Sequence, residues 1–70
     1  MQISYNKLWV ILNDKNMKKT DLKELTGMSS STLAKLSKNQ EVNLSVLMRI
    51  CEQLDCNVED VLEFNKGLVI

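Results

Sequence analysis

Four hydroxyl side chains in succession, Ser29, Ser30, Ser31 and Thr32, stand just ahead of Lys35 and Lys38 in a chain of 70 residues. Short hydroxyls donate and accept hydrogen bonds while letting a backbone come close, and lysines reach acidic oxygens further out. Set on one face of a helix, such residues suit the base edges and phosphates of a DNA major groove. Ser29 is placed to cap that helix by accepting from its first free N–H groups. Capping uses one hydroxyl, and four are present. Lys18 and Lys19 add two more cations nearby; the alternative for all four lysines is an ordinary solvated face.

Other chemistries lack their residues. The chain has no histidine, which removes a histidine general base, a serine–histidine pair and any histidine-containing zinc site. Cys51 and Cys56 are five positions apart at apolar places of the pattern, so they read as core cysteines. A disulfide between them would have to bridge a helix end. Asp55, Glu59, Asp60 and Glu63 could suggest a divalent ion, but Glu59 and Asp60 fit the first turn of a helix, where negative charge is favoured. No enzyme, metal site, cofactor or small-molecule ligand is expected. No apolar run approaches the roughly 20 residues that span a bilayer, and no basic segment leads into a hydrophobic stretch at the start. The expectation is a cytoplasmic protein with no membrane partner.

The composition, 44% hydrophobic and 26% charged, is that of one globular domain rather than a disordered tail. Nine basic and nine acidic residues give a formal net charge of zero, which on its face argues against a nucleic-acid binder. The distribution argues the other way. Residues 1–40 carry seven lysines against three acids, a net of plus four, and residues 41–70 carry two basic residues against six acids, a net of minus four. The positive half holds the hydroxyl-rich segment, so the dipole would turn that segment toward a polyanion.

The elements that must position these residues read as five short helices. Proline is absent, glycine is confined to Gly27 and Gly67, and the alternation of a strand is weak throughout. Tyr5, Leu8, Trp9 and Leu12 form one stripe over 4–13, with Val10 and Ile11 widening it; Trp9 and Tyr5 share this apolar stripe and read as core. A second helix over 18–26 places Leu22 and Leu25 inward, with Met17 just before it and Gly27 at its end. A third, capped by Ser29, is seated by Leu33 and Leu36. Its exposed face is then Ser30, Ser31, Thr32, Ala34, Lys35 and Lys38. Asn43 caps a fourth with the stripe Leu44, Leu47, Ile50, Cys51 and Leu54. Asn57 caps a fifth over 58–64, with Asp60 at the capping-box position and Val61, Leu62 and Phe64 inward. The spacing predicts an all-α domain over 1–66 and a short tail over 67–70.

Two short helices joined by a glycine-containing turn are the outline of a helix-turn-helix, with Met28 plugging the corner. The segment 19–36 within this frame resembles the phage-repressor or Cro-like family of transcription regulators, sometimes called XRE-type. The marks are Leu8 and Ile11, Met17, Leu22, Gly27-Met28-Ser29, Thr32-Leu33-Ala34-Lys35-Leu36, then Asn43, Leu44, Leu47, Ile50 and Leu54, and finally Asn57, Asp60 and Val61. They cover 7–64, nearly the whole chain. The resemblance implies a compact five-helix lambda-repressor-like domain that binds double-stranded, pseudo-palindromic operators as a homodimer. Carried over by position, Ser30, Ser31, Thr32 and Lys35 become base contacts. Lys18, Lys19, Thr20, Lys38 and Asn39 become phosphate contacts.

This chain departs from the family pattern at four places. Lys23 stands where alanine often allows tight helix crossing, so its stem must snorkel outward or the helices must shift. Lys18 stands at the usual capping Ser/Thr, which moves the expected helix start toward Thr20. Asn39 replaces a frequent glycine, and Ser30 replaces the long glutamine or arginine that often leads the reading helix. The function expected is a sequence-specific regulator, a repressor, with no effector domain. The acidic second half and the apolar tail motivate an alternative from another class, a protein-interaction module of antitoxin-like or anti-repressor type on the same fold.

Overall fold

A computed structural model describes residues 2–66. The short tail expected over 67–70 lies outside the described residues. The elements run β1 Gln2–Ser4, α1 Asn6–Asp14, α2 Lys19–Thr26, α3 Ser30–Ser37, α4 Leu44–Leu54, a one-turn 3-10 helix Val58–Asp60 and β2 Glu63–Asn65. The core is one cluster built from Tyr5, Leu8 and Leu12 of the first segment, Leu22, Met28 and Leu36 of the helix-turn-helix, and Leu47, Ile50, Leu54 and Val61 beyond it. Every helix contributes at least one of these buried positions, so the spacing of apolar residues places the helices correctly.

Among the described residues there are four α-helices where five were expected. The 3-10 turn starts as anticipated, with the Asp60 carboxylate accepting from the Asn57 N–H at 3.0 Å. Val61 is then fully buried and the chain leaves the turn as strand. β2 pairs antiparallel with β1 in the register Gln2 to Asn65, Ile3 to Phe64 and Ser4 to Glu63. The physical reason is that each strand is three residues long. Alternation over three residues is no signal, and the partner that satisfies the backbone lies some sixty positions away. The same pairing shortens the first helix: Ser4 is strand and buried, with its hydroxyl accepting from the Asn6 N–H at 3.3 Å. Phe64, expected inward on a fifth helix, is exposed on β2.

Three other inward assignments fail for a shared reason. Val10, Leu25 and Leu44 sit at helical spacing from buried neighbours, yet Leu44 is 74% exposed and the other two are open to solvent. A domain this small cannot cover a stripe on all its helices.

Left-handed residues end all four helices. They are Asn16, Gly27, Asn39 and Asp55, with φ of 55, 73, 56 and 53°. At Gly27 nothing lies within 4 Å of where a Cβ would stand, so backbone strain and not space calls for glycine there. After the other three helices the chain closes a wider loop. Met17, Gln40 and Cys56 donate their N–H to the carbonyls of Leu12, Lys35 and Cys51, at 2.8, 2.8 and 3.0 Å. This is the six-to-one hydrogen bond of the Schellman motif, used three times in one small domain.

Candidate nucleic-acid interface

α2 begins at Lys19, one residue before Thr20. Lysine cannot accept a hydrogen bond, so the cap comes from the third residue of the helix: the Asp21 carboxylate accepts from the Lys18 N–H at 2.8 Å. This holds Lys18, Lys19 and Thr20 at a helix start, all three exposed. The turn at Gly27 follows, Met28 is buried in the corner, and α3 starts one residue after Ser29. Ser29 caps as expected, its hydroxyl accepting from the Thr32 N–H at 3.2 Å. Asn43, in contrast, makes no side-chain cap bond to α4, against expectation.

The expected face of α3 is formed. Leu36 is fully buried and Leu33 half-buried, which turns Ser30, Ser31, Ala34, Lys35 and Ser37 to solvent with Thr32 at the margin. No acidic residue lies on this helix. Lys38 and Asn39 continue the exposed surface past its C-terminus.

The hydroxyls of that face are already engaged with one another. Ser29 Oγ lies 2.9 Å from Ser31 Oγ and 3.0 Å from Thr32 Oγ1, so the capping serine gathers both neighbours. Ser30 Oγ accepts from Lys23 Nζ at 2.7 Å. Lys23 therefore snorkels: its stem stays half-buried at the helix crossing and its ammonium emerges beside the first residue of α3. Because the lysine occupies an acceptor lobe of Ser30, the serine O–H stays available to donate. A donor in the major groove addresses guanine O6 and N7, adenine N7 or thymine O4. Ser29 has one hydroxyl proton to give, so while both contacts stand at most one of Ser31 and Thr32 keeps its own O–H free to donate, and both can still accept.

Lys19 is held by side chains the sequence did not point to. Its ammonium sits 4.3 Å from the centroid of the Trp9 ring and 3.3 Å from Ser37 Oγ. Trp9 is half-buried against the core and so serves as both core and platform. Lys19 thus carries its charge at the C-terminal end of α3, where a helix dipole favours a cation. Nothing in residue types or spacing marks this pair, since the ring and the cation come from different helices.

Asn39 does more than turn the chain. Its Oδ1 accepts from the Tyr5 N–H at 3.1 Å, and the Tyr5 hydroxyl donates to the Gln40 carbonyl at 2.7 Å. The loop after α3 is therefore tied at two points to the start of α1. Of the Asn39 side chain only the amide NH₂ is left over for a phosphate. Tyr5 is 1% exposed, and burial, then the charge of Glu41, push its phenol above the ordinary value of 10.0.

A polar cleft of about 300 Å³ runs beside the reading face, lined by Thr32 and Lys35 of α3 and by Glu41, Val42, Asn43 and Val46. With no cap bond to make, Asn43 adds an amide to this cleft. The sequence pattern reads an asparagine before a helix as a cap and so passes over it. Among the described residues, no three of His, Cys, Asp or Glu gather as a metal site would, and no helix is long and apolar enough to cross a membrane.

None of the curated proteins matches this chain. A solved structure of a transcriptional regulator, VanUg, is similar to it with a TM-score of 0.87 and 53% sequence identity, over 89% of this chain and 83% of that one. The family model of the Cro/C1-type HTH DNA-binding domain matches residues 7–67, which takes in every element from α1 to β2. With the capped turn, the buried corner and the cationic, hydroxyl-bearing α3 in place, the chain belongs to the Cro/C1-type helix-turn-helix DNA-binding family.

Proposed function

We propose that the protein is a sequence-specific transcription regulator that represses by laying α3 in the major groove of a pseudo-palindromic operator, as a homodimer. The observation that carries this reading is the exposed face of α3, with Ser30, Ser31, Thr32 and Lys35 free of acidic neighbours on their own helix. Lys18, Lys19 and Thr20 flank it on one side and Lys38 and Asn39 on the other. Base readers at the centre and phosphate contacts at the rim are the division of labour such an interface needs. One eight-residue helix with short readers covers few base pairs, so two copies would be required for a useful specificity ratio. Their half-sites would lie about 34 Å apart, one turn of the duplex.

Selection from a randomised duplex library tests the reading. The expected product is a two-fold symmetric motif whose affinity falls steeply with salt. No enriched motif and no salt dependence would refute it. Lys35→Ala should weaken binding and relax preference at one base-pair position in each half-site; an unchanged motif would remove Lys35 from the readers.

A second reading is favoured by another part of the surface. Leu44, Met48, Val58 and Phe64 are all exposed around apolar grooves, which suits a protein partner. Recovery of one stoichiometric protein partner together with absent DNA binding would decide for that interaction module.

A further inference from the structure

The two cysteines occupy a repeated structural position. In each Schellman motif the residue three from the helix end and the second residue beyond it are brought side by side, and their side chains commonly touch. After α1 that pair is Leu12 and Met17, both packed in the core. After α4 it is Cys51 and Cys56. Asp55 takes the left-handed position between them, and the Cys56 N–H donates to the Cys51 carbonyl at 3.0 Å.

Bond lengths then cap the Cα separation at about 6.9 Å, and any bend at the hydrogen bond brings it inside the roughly 4.4–6.8 Å span of disulfides. The helix end that a disulfide would have to bridge is already folded into the bridging shape. Both thiols are half-buried and free, and both line one apolar groove open to solvent, with Leu44, Met48, Asn57 and Val58. Burial, then Cys51 and Asp60, raises the Cys56 pKa against the opposing pull of Lys15, so its thiolate forms in mild alkali.

We propose that Cys51 and Cys56 form a dithiol modification site that a small soluble disulfide of the glutathione class closes to an intramolecular disulfide. One protein thiolate attacks the small disulfide, forming a mixed disulfide and releasing one small thiol. The second protein thiolate attacks the protein sulfur of that mixed disulfide, forming the Cys51–Cys56 bond and releasing the other small thiol. The chain loses two electrons and two protons, and the oxidant takes them up as two thiols. The groove and the cleft beside α3 share no lining residue, so closure pins the corner after α4 and leaves the reading face as it is.

The test is to hold the full chain at about pH 8 in a mixture of oxidised and reduced glutathione and to weigh it without reductant. The expected product is a monomer lighter by about 2 Da, with both thiols lost and a digest linking residues 51 and 56. A Cys56→Ser chain should stop at the glutathione adduct on Cys51. A wild-type chain that stays reduced, accumulates the adduct or forms disulfide-linked dimers would overturn the proposal. Closure of a preformed loop should raise the Tm by roughly 5–10 °C. A lower Tm would show the turn strained by the bond, and would equally overturn it.

Discussion

The two sides of this domain use their exposed residues differently. Around α2 and α3 the surface is cationic and hydroxyl-bearing, and its side chains are held in place by side-chain contacts: Lys23 to Ser30, Lys19 to Trp9 and Ser37, Ser29 to Ser31 and Thr32. Around α4, the 3-10 turn and β2 the surface is acidic and apolar. Among the described residues its ion pair, Lys7 to Glu63 at 3.7 Å, is half in solvent. One side is preorganised for a rigid polyanion. The other offers grooves lined mostly by hydrophobic side chains. Preorganised polar groups are what a groove of fixed donors and acceptors rewards.

Substitutions that separate the two sides sharpen this contrast, and the largest effect belongs to the core beneath them. Leu36→Ala removes the fully buried residue that seats α3 and should cost about 2–5 kcal/mol, on the order of the whole stability of so small a domain. Leu44→Ala, at the same residue type but 74% exposed, should stay within about 0.5 kcal/mol. Urea unfolding of both checks the pair, and equal losses would break the distinction between the seated and the open stripe.

Lys19→Ala should lower affinity for a selected duplex several-fold and reduce the slope of log affinity against log salt by about 1. Arg49→Ala, at an exposed position of α4, should leave the slope unchanged. A slope that moved with Arg49 and not Lys19 would put the DNA on the wrong side.

Tyr5 joins the two regions, since it anchors the loop after α3 while lying in the shared core. Tyr5→Phe should cost about 1 kcal/mol through the lost bond to the Gln40 carbonyl. Its phenol is raised in the folded state, so its contribution is full below pH 10.0 and is lost as pH rises through the folded value. Thermal unfolding in alkali should therefore fall more steeply for the wild type than for Tyr5→Phe, and parallel curves would contradict that.

The smallest effects fall on the turns. Gly27→Ala should destabilise by about 1 kcal/mol and Asp55→Gly should stabilise by less, because both act on a left-handed residue. Denaturant midpoints that moved together would show that strain at φ is not what distinguishes them.

The helix-turn-helix was legible because its signals are local. Leu22, Gly27, Met28, Ser29 and Leu36 each do within a few residues what their chemistry suggests. The sheet was not legible, since a three-residue strand has no periodicity and its partner is at the other end of the chain. Within the candidate site, the positions Ser30, Lys35 and Lys19 follow from spacing and family pattern. Their geometry does not: the Lys23–Ser30 bond and the Trp9 platform arise only when separate helices meet. Asn39 shows the limit plainly. Its tolerance for a left-handed turn could be read from its type, and its grip on the Tyr5 backbone could not.

The most direct measurement of the central claim is a titration of isotope-labelled protein with a selected duplex, followed by amide chemical shifts. The largest shifts should fall on Ser30, Ser31, Thr32 and Lys35, with smaller ones at Lys18, Lys19, Thr20, Lys38 and Asn39, while Met48, Val58 and Phe64 stay still at the first equivalent of DNA. Shifts concentrated along Leu44, Met48 and Val58, with α3 unmoved, would contradict the account.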